Sequence, residues 1–186
     1  MEKNLFQGEL VRLSIEDPET QSVVHARWGR DSEYLRLLDS DSASMWSAKK
    51  FKEWFDEELK KDSFNQITFH IHTLEDDRLI GFIGLGDIEW NNGDAWVGIG
   101  IGEREYWGKG YGTDAMRTLL RYAFTELNLH RINLGAFVYN PRAIRSYEKA
   151  GFTVEGYERE ALHRDGNYTD SIYMGILREE WQARNA

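Results

Sequence analysis

The chain has 186 residues, 32 acidic against 23 basic, a formal net charge of −9 and no cysteine. That length suits one domain that buries roughly 70% of its unfolded surface unaided, and the lack of cysteine excludes a disulfide framework, a thiolate nucleophile and a thiolate zinc site. Such acidity makes a poor general binder of nucleic acid or anionic membrane and an attractor of cations.

No run approaches the ~20 apolar residues of a membrane span, and the start, Met1-Glu2-Lys3-Asn4-Leu5, lacks the basic and apolar blocks of a signal peptide. A cytoplasmic protein is expected. With two prolines and no Ser- or Gln-rich tract, residues 1–186 read as one unit without linker or repeat.

Val11, Leu13 and Ile15 alternate with polar residues as a first strand. Asp17-Pro18-Glu19 supplies an N-cap, a first-position proline and a first-turn acid for a helix to about Trp28. Residues 29–46 are polar and carry no clear pattern. Ser47 can cap a helix with Phe51, Trp54, Phe55 and Leu59 on one face. Ile67, Phe69 and Ile71 alternate as a strand, Leu79 to Trp90 form an apolar, glycine-rich one, and Asn91-Asn92-Gly93-Asp94 reads as a hairpin turn before Ala95, Val97, Ile99 and Ile101. The period then becomes helical through Met116, Leu119, Leu120, Ala123 and Leu127, and returns to a strand at Ile132, Leu134 and Ala136. A strand–helix–strand order implies a parallel crossover. Asn140 caps a short helix that stops at Gly151, and two last strands flank Asp165-Gly166. The fold class is α/β with a mixed sheet, antiparallel at first, built around one central crossover.

Gly108-Lys109-Gly110-Tyr111-Gly112 joins a strand directly to a helix. Backbone N–H groups there have no helical partners, and the helix dipole adds partial positive charge, so the turn suits a phosphate. It is not a Walker loop, because Gly110 follows Lys109 and position 103 is Glu. It is not a dinucleotide fingerprint either, because glycines at 108, 110 and 112 have the wrong spacing.

Tyr106-Trp107-Gly108-Lys109-Gly110-Tyr111-Gly112-Thr113 resembles the pyrophosphate loop of the GNAT acetyltransferases, Gln/Arg-x-x-Gly-x-Gly/Ala, with Trp107 at the Gln/Arg position. Asn140-Pro141-Arg142-Ala143-Ile144-Arg145-Ser146-Tyr147-Glu148-Lys149-Ala150-Gly151-Phe152 resembles the family's Asn-x-x-Ala-x-x-x-Tyr-x-x-x-Gly-Phe segment. The tail Asp165-Gly166-Asn167-Tyr168-Thr169-Asp170-Ser171 is similar to that of the branch holding RimJ/RimL ribosomal-protein and spermidine acetyltransferases.

This resemblance implies acetyl-CoA as co-substrate, no metal, and acetyl transfer to a primary amine by direct attack in a ternary complex. The strand ending Ile99-Gly100-Ile101 is expected to splay from its neighbour and pair with the pantetheine arm. Main-chain amides from Gly108 to Thr113 are expected to hold the pyrophosphate, while Asn140 contacts the arm and caps its helix. Tyr147 is implied as general acid to the leaving thiolate, a transfer that phenol and thiol pKa values of ~10 and ~8.5 allow. Asp87 and Glu89, read as sharing one strand face, are base candidates, against the reading that they are merely solvated.

His70 and His72 share a strand face without metal-site spacing and are expected at the surface. Trp46, Trp54, Trp90 and Trp96 are expected mostly in the core, with some at an acceptor pocket. The acidic balance favours a cationic acceptor: a polyamine, a protein N-terminus or an amino sugar. A non-catalytic acyl-CoA-binding or sensor module on the same fold is the alternative. Whether the chain forms a homo-oligomer is left open.

Overall fold

The period-2 segments build one seven-stranded sheet, and the period-3.6 segments cover both its faces. In the computed structural model, which describes residues 4–61 and 64–185, β1 (Val11–Ser14), β2 (Ile67–Thr73), β3 (Leu79–Glu89) and β4 (Asp94–Ile101) run antiparallel in chain order. Strand β5 (Arg131–Phe137) lies parallel to β4, and β7 (Asn167–Leu177) inserts between β5 and β6 (Thr153–Arg164).

The crossover helix α4 (Tyr111–Thr125) covers one face. Its Met116, Leu119, Leu120 and Ala123 join Ile83, Leu85, Ala95, Ile132 and Leu134 in the buried core. At about 1.5–3 kcal/mol for each large apolar side chain buried, this seam dominates the packing. Beside it lies α5 (Pro141–Ala150), capped by Asn140, whose side chain accepts from Ala143 N–H at 3.2 Å, and ended by Gly151.

The opposite face carries α1 (Pro18–Trp28), α2 (Ser32–Leu38) and α3 (Ala48–Lys60). Asp17 and Ser47 cap α1 and α3 as the sequence predicts, accepting from Thr20 and Lys50 N–H. Helix α2 falls inside the segment without clear pattern. Its cap is Asp31, which accepts from the N–H groups of Glu33 and Tyr34. A further unexpected helix, α6 (Arg178–Asn185), follows β7; Glu180 accepts from Leu177 N–H at 2.8 Å, and Trp181 packs on Phe124. No helix among the described residues is long and apolar enough to cross a membrane.

Three local readings change. His70 and His72 are buried, not superficial, because α1 and the segment before it cover β2: the His25 ring meets His70 at 6.1 Å and Glu16 lies 2.9 Å from His72 Nε2. Trp54, Trp90 and Trp96 stay more than two-fifths exposed: α3 has no fully buried residue, and Trp96 alternates with Ala95 and Val97, which take the core side of β4. Asp87 and Glu89 do not simply alternate. The register passes from Gly86–Trp96 to Glu89–Asp94, so two residues oppose Ala95 in a bulge, with Asp87 at φ +48°. Glu89 is left on the same face as Gly86 and Trp96.

Candidate active site

The site begins where the sheet comes apart. β4 and β5 share only three rungs, Asp94–Arg131, Ala95–Ile132 and Trp96–Asn133. Beyond them β4 follows β3 to Ile101, and β5 follows β7 to Phe137. The stretch Ile99-Gly100-Ile101 therefore has no β5 partner among the described residues, and the gap widens into a cleft of about 460 Å³. An unpaired strand edge inside a protein invites an extended ligand that can hydrogen-bond like a strand.

At the wide end lies the glycine loop. Gly108 and Gly110 have φ of +73° and +95°, a left-handed conformation glycine adopts without steric penalty. Gly110 is the N-cap of α4 and offers no side chain to the first-turn N–H groups, which leaves them for an anion. Thr113 Oγ1 and Ser146 Oγ lie 2.7 Å apart and lock the helix start to α5. Trp107 stabilises the approach: its indole N–H donates to the Ile101 carbonyl at 2.7 Å, and the Arg104 and Arg142 guanidinium groups lie 4.9 and 3.9 Å from its ring centre. Trp107, Gly108, Gly110, Gly112 and Thr113 all line the cleft. Lys109 is exposed outside that wall, and Tyr111, which does not line it, packs edge-on against Tyr106, ring centres 4.9 Å apart.

The N-terminal segment is tied to this loop by Asp114 in the first turn of α4. Its carboxylate accepts from the backbone N–H groups of Glu9, Leu10 and Val11 at 2.8–3.0 Å. Glu103, just beyond β4, plays a similar part for α1. Burial alone would raise its pKa, but the Trp28 N–H, Arg27 and Arg78 outweigh that and hold it below the usual carboxylate range.

Asn140, the cap of α5, and Tyr147 within it both line the cleft. Asn140 uses its oxygen as the cap, while its amide N–H groups have no partner among the described residues and stand in the cleft wall. The Tyr147 hydroxyl also has no partner there, and burial pushes its pKa up to about 12. It is therefore a protonated donor at neutral pH. Asp87 and Glu89 are exposed and line no part of the cleft.

Two groups of cleft residues escape the sequence reading. Arg142, Arg145 and Lys149, spaced as one face of α5, join Arg117 of α4, so a chain of net charge −9 concentrates cations in this cleft. Burial lowers the Arg142 pKa, and nearby Arg104 adds to the shift. The other group is Tyr34, Leu37 and Leu38 of α2, which form the opposite wall. That wall is held by the β6–β7 hairpin: Arg164 donates to the carbonyls of Asp39, Ser40 and Asp41 at 2.8–3.0 Å, and Arg36 pairs with Asp165.

A gap between parallel strands, an uncapped helix start and clustered cations suit a long, phosphate-bearing ligand that lies partly as a strand. Comparison with known proteins agrees. Residues 9–153 match the acetyltransferase (GNAT) domain model. The chain is 34% identical over 152 residues to an uncharacterized, prophage-derived N-acetyltransferase of Bacillus subtilis, covering 82% of each. It is 34% identical to the spermidine N(1)-acetyltransferase of Vibrio cholerae, over 71% of this chain and 82% of that one. The solved structure of a Vibrio cholerae spermidine N-acetyltransferase in complex with CoA and spermine superposes with a TM-score of 0.80 at 25% identity, covering 92% of this chain and 98% of that chain. The chain belongs to the GNAT acetyltransferase family, and its chemistry is the transfer of an acetyl group from acetyl-CoA to an amine.

Proposed function

We propose that the acceptor is a cationic primary amine, a polyamine first among them, and that residues 1–186 act as one acetyltransferase unit. The observation that carries this is the open sheet face at the narrow end of the gap. One step past the last shared rung on that face, Gly98 and Gly135 stand exposed on either lip. Beside them Trp96 and Tyr173 meet edge to face, ring centres 6.0 Å apart, and the Tyr173 hydroxyl donates to Glu158 Oε2 at 2.7 Å. Exposed aromatic faces with an adjacent carboxylate attract an alkylammonium through cation–π and charge terms. The bare glycines leave its path to the thioester open. A relative whose solved complex holds spermine supports the same class.

The amides of Gly108 to Thr113, with Arg142, Arg145 and Lys149, take the cofactor phosphates. The edge of Ile99, Gly100 and Ile101 takes the pantetheine arm, helped by the Asn140 amide. Attack by the neutral amine gives a tetrahedral oxyanion that a β4 backbone N–H stabilises. Collapse expels the CoA thiolate, and Tyr147 delivers its hydroxyl proton to that sulfur. Asp87 and Glu89 stay at a distance from this centre. At ~3.3 Å per residue along β4, Gly98 lies ~10 Å from Ala95, which Asp87 opposes, and ~13 Å from Asp94, the Glu89 partner, so the ammonium proton leaves through water. The co-substrate implies a compartment that holds acetyl-CoA, which we read as the cytoplasm.

The test is thiol release from acetyl-CoA with spermidine, spermine, an amino sugar, a peptide N-terminus and a neutral amine. Polyamines should turn over best. Turnover confined to the neutral amine would overturn the reading.

A further inference from the structure

Tyr34 is among the most enclosed polar side chains of the cleft, 5% exposed, and its hydroxyl is buried without a hydrogen-bond partner among the described residues. An orphaned buried hydroxyl is costly, so native structures seldom keep one without a use. The ring is fixed in place. It packs edge-on to Trp28, ring centres 6.4 Å apart, and Trp28 is itself held by its N–H bond to Glu103. The hydroxyl lies over the backbone of β4: a Cβ on Gly100 would come within 3.0 Å of it, and within 2.9 Å of Leu38 and 2.8 Å of Phe82. Gly100 therefore lets α2 press this hydroxyl onto the very strand whose other edge faces the gap. Burial raises the phenol pKa above its usual value, so the group is a donor throughout the neutral range. Tyr147 reaches the same cleft from α5, on the other side of the sheet.

The geometry points to Tyr34 as a cofactor-binding residue, its hydroxyl donating a hydrogen bond to a carbonyl oxygen of the acyl-pantetheine arm laid along β4. This rests on the acetyl-CoA reading of the cleft. The carbonyl is either that of the thioester, present only in acetyl-CoA, or that of a pantetheine amide, present in CoA as well. The contact makes α2, the opposite wall of the cleft, part of cofactor recognition. An empty cleft leaves the hydroxyl unsatisfied, and a filled one satisfies it.

Calorimetry and thermal melting of wild type and Tyr34→Phe, each with acetyl-CoA and with CoA, test this. The ligand-free variant should melt at or above the wild-type temperature, because only an unpaired hydroxyl is lost. Its affinity should fall about tenfold, the upper range for one neutral hydrogen bond. A loss for acetyl-CoA alone places the bond at the thioester, and a loss for both ligands places it at an amide. Unchanged affinity for both ligands overturns the inference. So does a ligand-free variant melting more than about 3 °C lower, since that marks a structural hydrogen bond in a chain of this size. If wild type binds neither ligand at millimolar concentration, the reading of the cleft itself fails.

Discussion

Replacing Asp114 by alanine should cost the protein stability and cofactor affinity together. Its carboxylate accepts from the N–H of Glu9 at 2.9 and 3.0 Å, of Leu10 at 2.8 Å and of Val11 at 3.0 Å. A hydrogen bond to a charged acceptor contributes about 1.5–3 kcal/mol when buried. Val11 is fully buried and takes about 2 kcal/mol of that range, whereas Glu9 and Leu10 are exposed and deserve about half as much each. The loss is then ~3–4 kcal/mol, partly softened by water entering the vacated site. At about 2–4 °C per kcal/mol for a chain of this length, the melting temperature should fall by ~10 °C. Asp114→Asn, which keeps one oxygen, should fall between the two. Leu10 and Glu9 border the cleft, and Leu10 lies 3.5 Å from where a Cβ on Gly110 would stand, so loosening this segment should also weaken acetyl-CoA binding. Thermal melting with and without acetyl-CoA reads both effects. A drop below about 3 °C for the alanine variant would show that these hydrogen bonds hold nothing that matters.

Tyr147→Phe should bind acetyl-CoA normally by calorimetry while kcat falls ~100-fold or more, the lower range for a general acid; wild-type turnover across pH 6–9, bracketing the thiol pKa, would make it a packing residue. Gly112→Asp should keep the fold, since its new Cβ would meet nothing closer than 3.8 Å, yet show no melting shift with acetyl-CoA because a carboxylate would face the phosphates. Trp96→Ala and Glu158→Gln should each raise KM for spermidine about five-fold, as expected for a loss near 1 kcal/mol, and leave KM for acetyl-CoA unchanged. A polyamine KM that does not move would remove these residues from the acceptor path. Burial lowers the pKa of both His25 and His70 to about 4 from 6.5, their mutual repulsion adding for His25, while Glu16 pulls His70 back up. Here the unfolded chain takes up the protons first, so stability is full above pH ~6.5 and declines as pH falls toward 4, by roughly 3 kcal/mol per ring at most. Melting temperature against pH should show that decline, and His70→Gln should flatten it.

The cofactor half of the site is legible in the sequence because its chemistry is local. A left-handed turn demands glycine at 108 and 110, and a helix start demands Asn140 before Pro141, so the constraint and the residue sit together. The antiparallel strands β1 to β4 are legible for the same reason, since alternation is a property of each strand alone. The rest of the cleft depends on partners far apart in the chain. Helix α2 is only seven residues long and reads as polar, although Asp31 followed by Tyr34, Leu37 and Leu38 holds a cap and a helical stripe. What the stripe faces is decided by Gly100 and by the hairpin at Asp165, more than sixty residues away. The bulge at Asp87 has no signature of its own, because it exists only as a mismatch with β4. Arg142, Arg145 and Lys149 show their common face on a helical wheel, but a wheel does not say that a ligand rather than solvent lies opposite. The insertion of β7 between β5 and β6 is likewise a matter of topology, invisible in two strands joined by a tight turn.

In the proposed binding mode the cleft holds its ligand mainly through groups unchanged by the reaction. On that reading the glycine-loop amides, the cations of α5 and the open edge of β4 all address phosphates and pantetheine, which free CoA carries intact. Binding shared equally by substrate and product adds nothing to turnover. CoA should therefore leave slowly and compete with fresh acetyl-CoA at a similar concentration, so that initial rates measured with added CoA fall along a competitive pattern. The velocity then follows the ratio of acetylated to free cofactor rather than the amount of either, and acetylation of the amine stalls whenever that ratio drops, with no separate regulatory site involved.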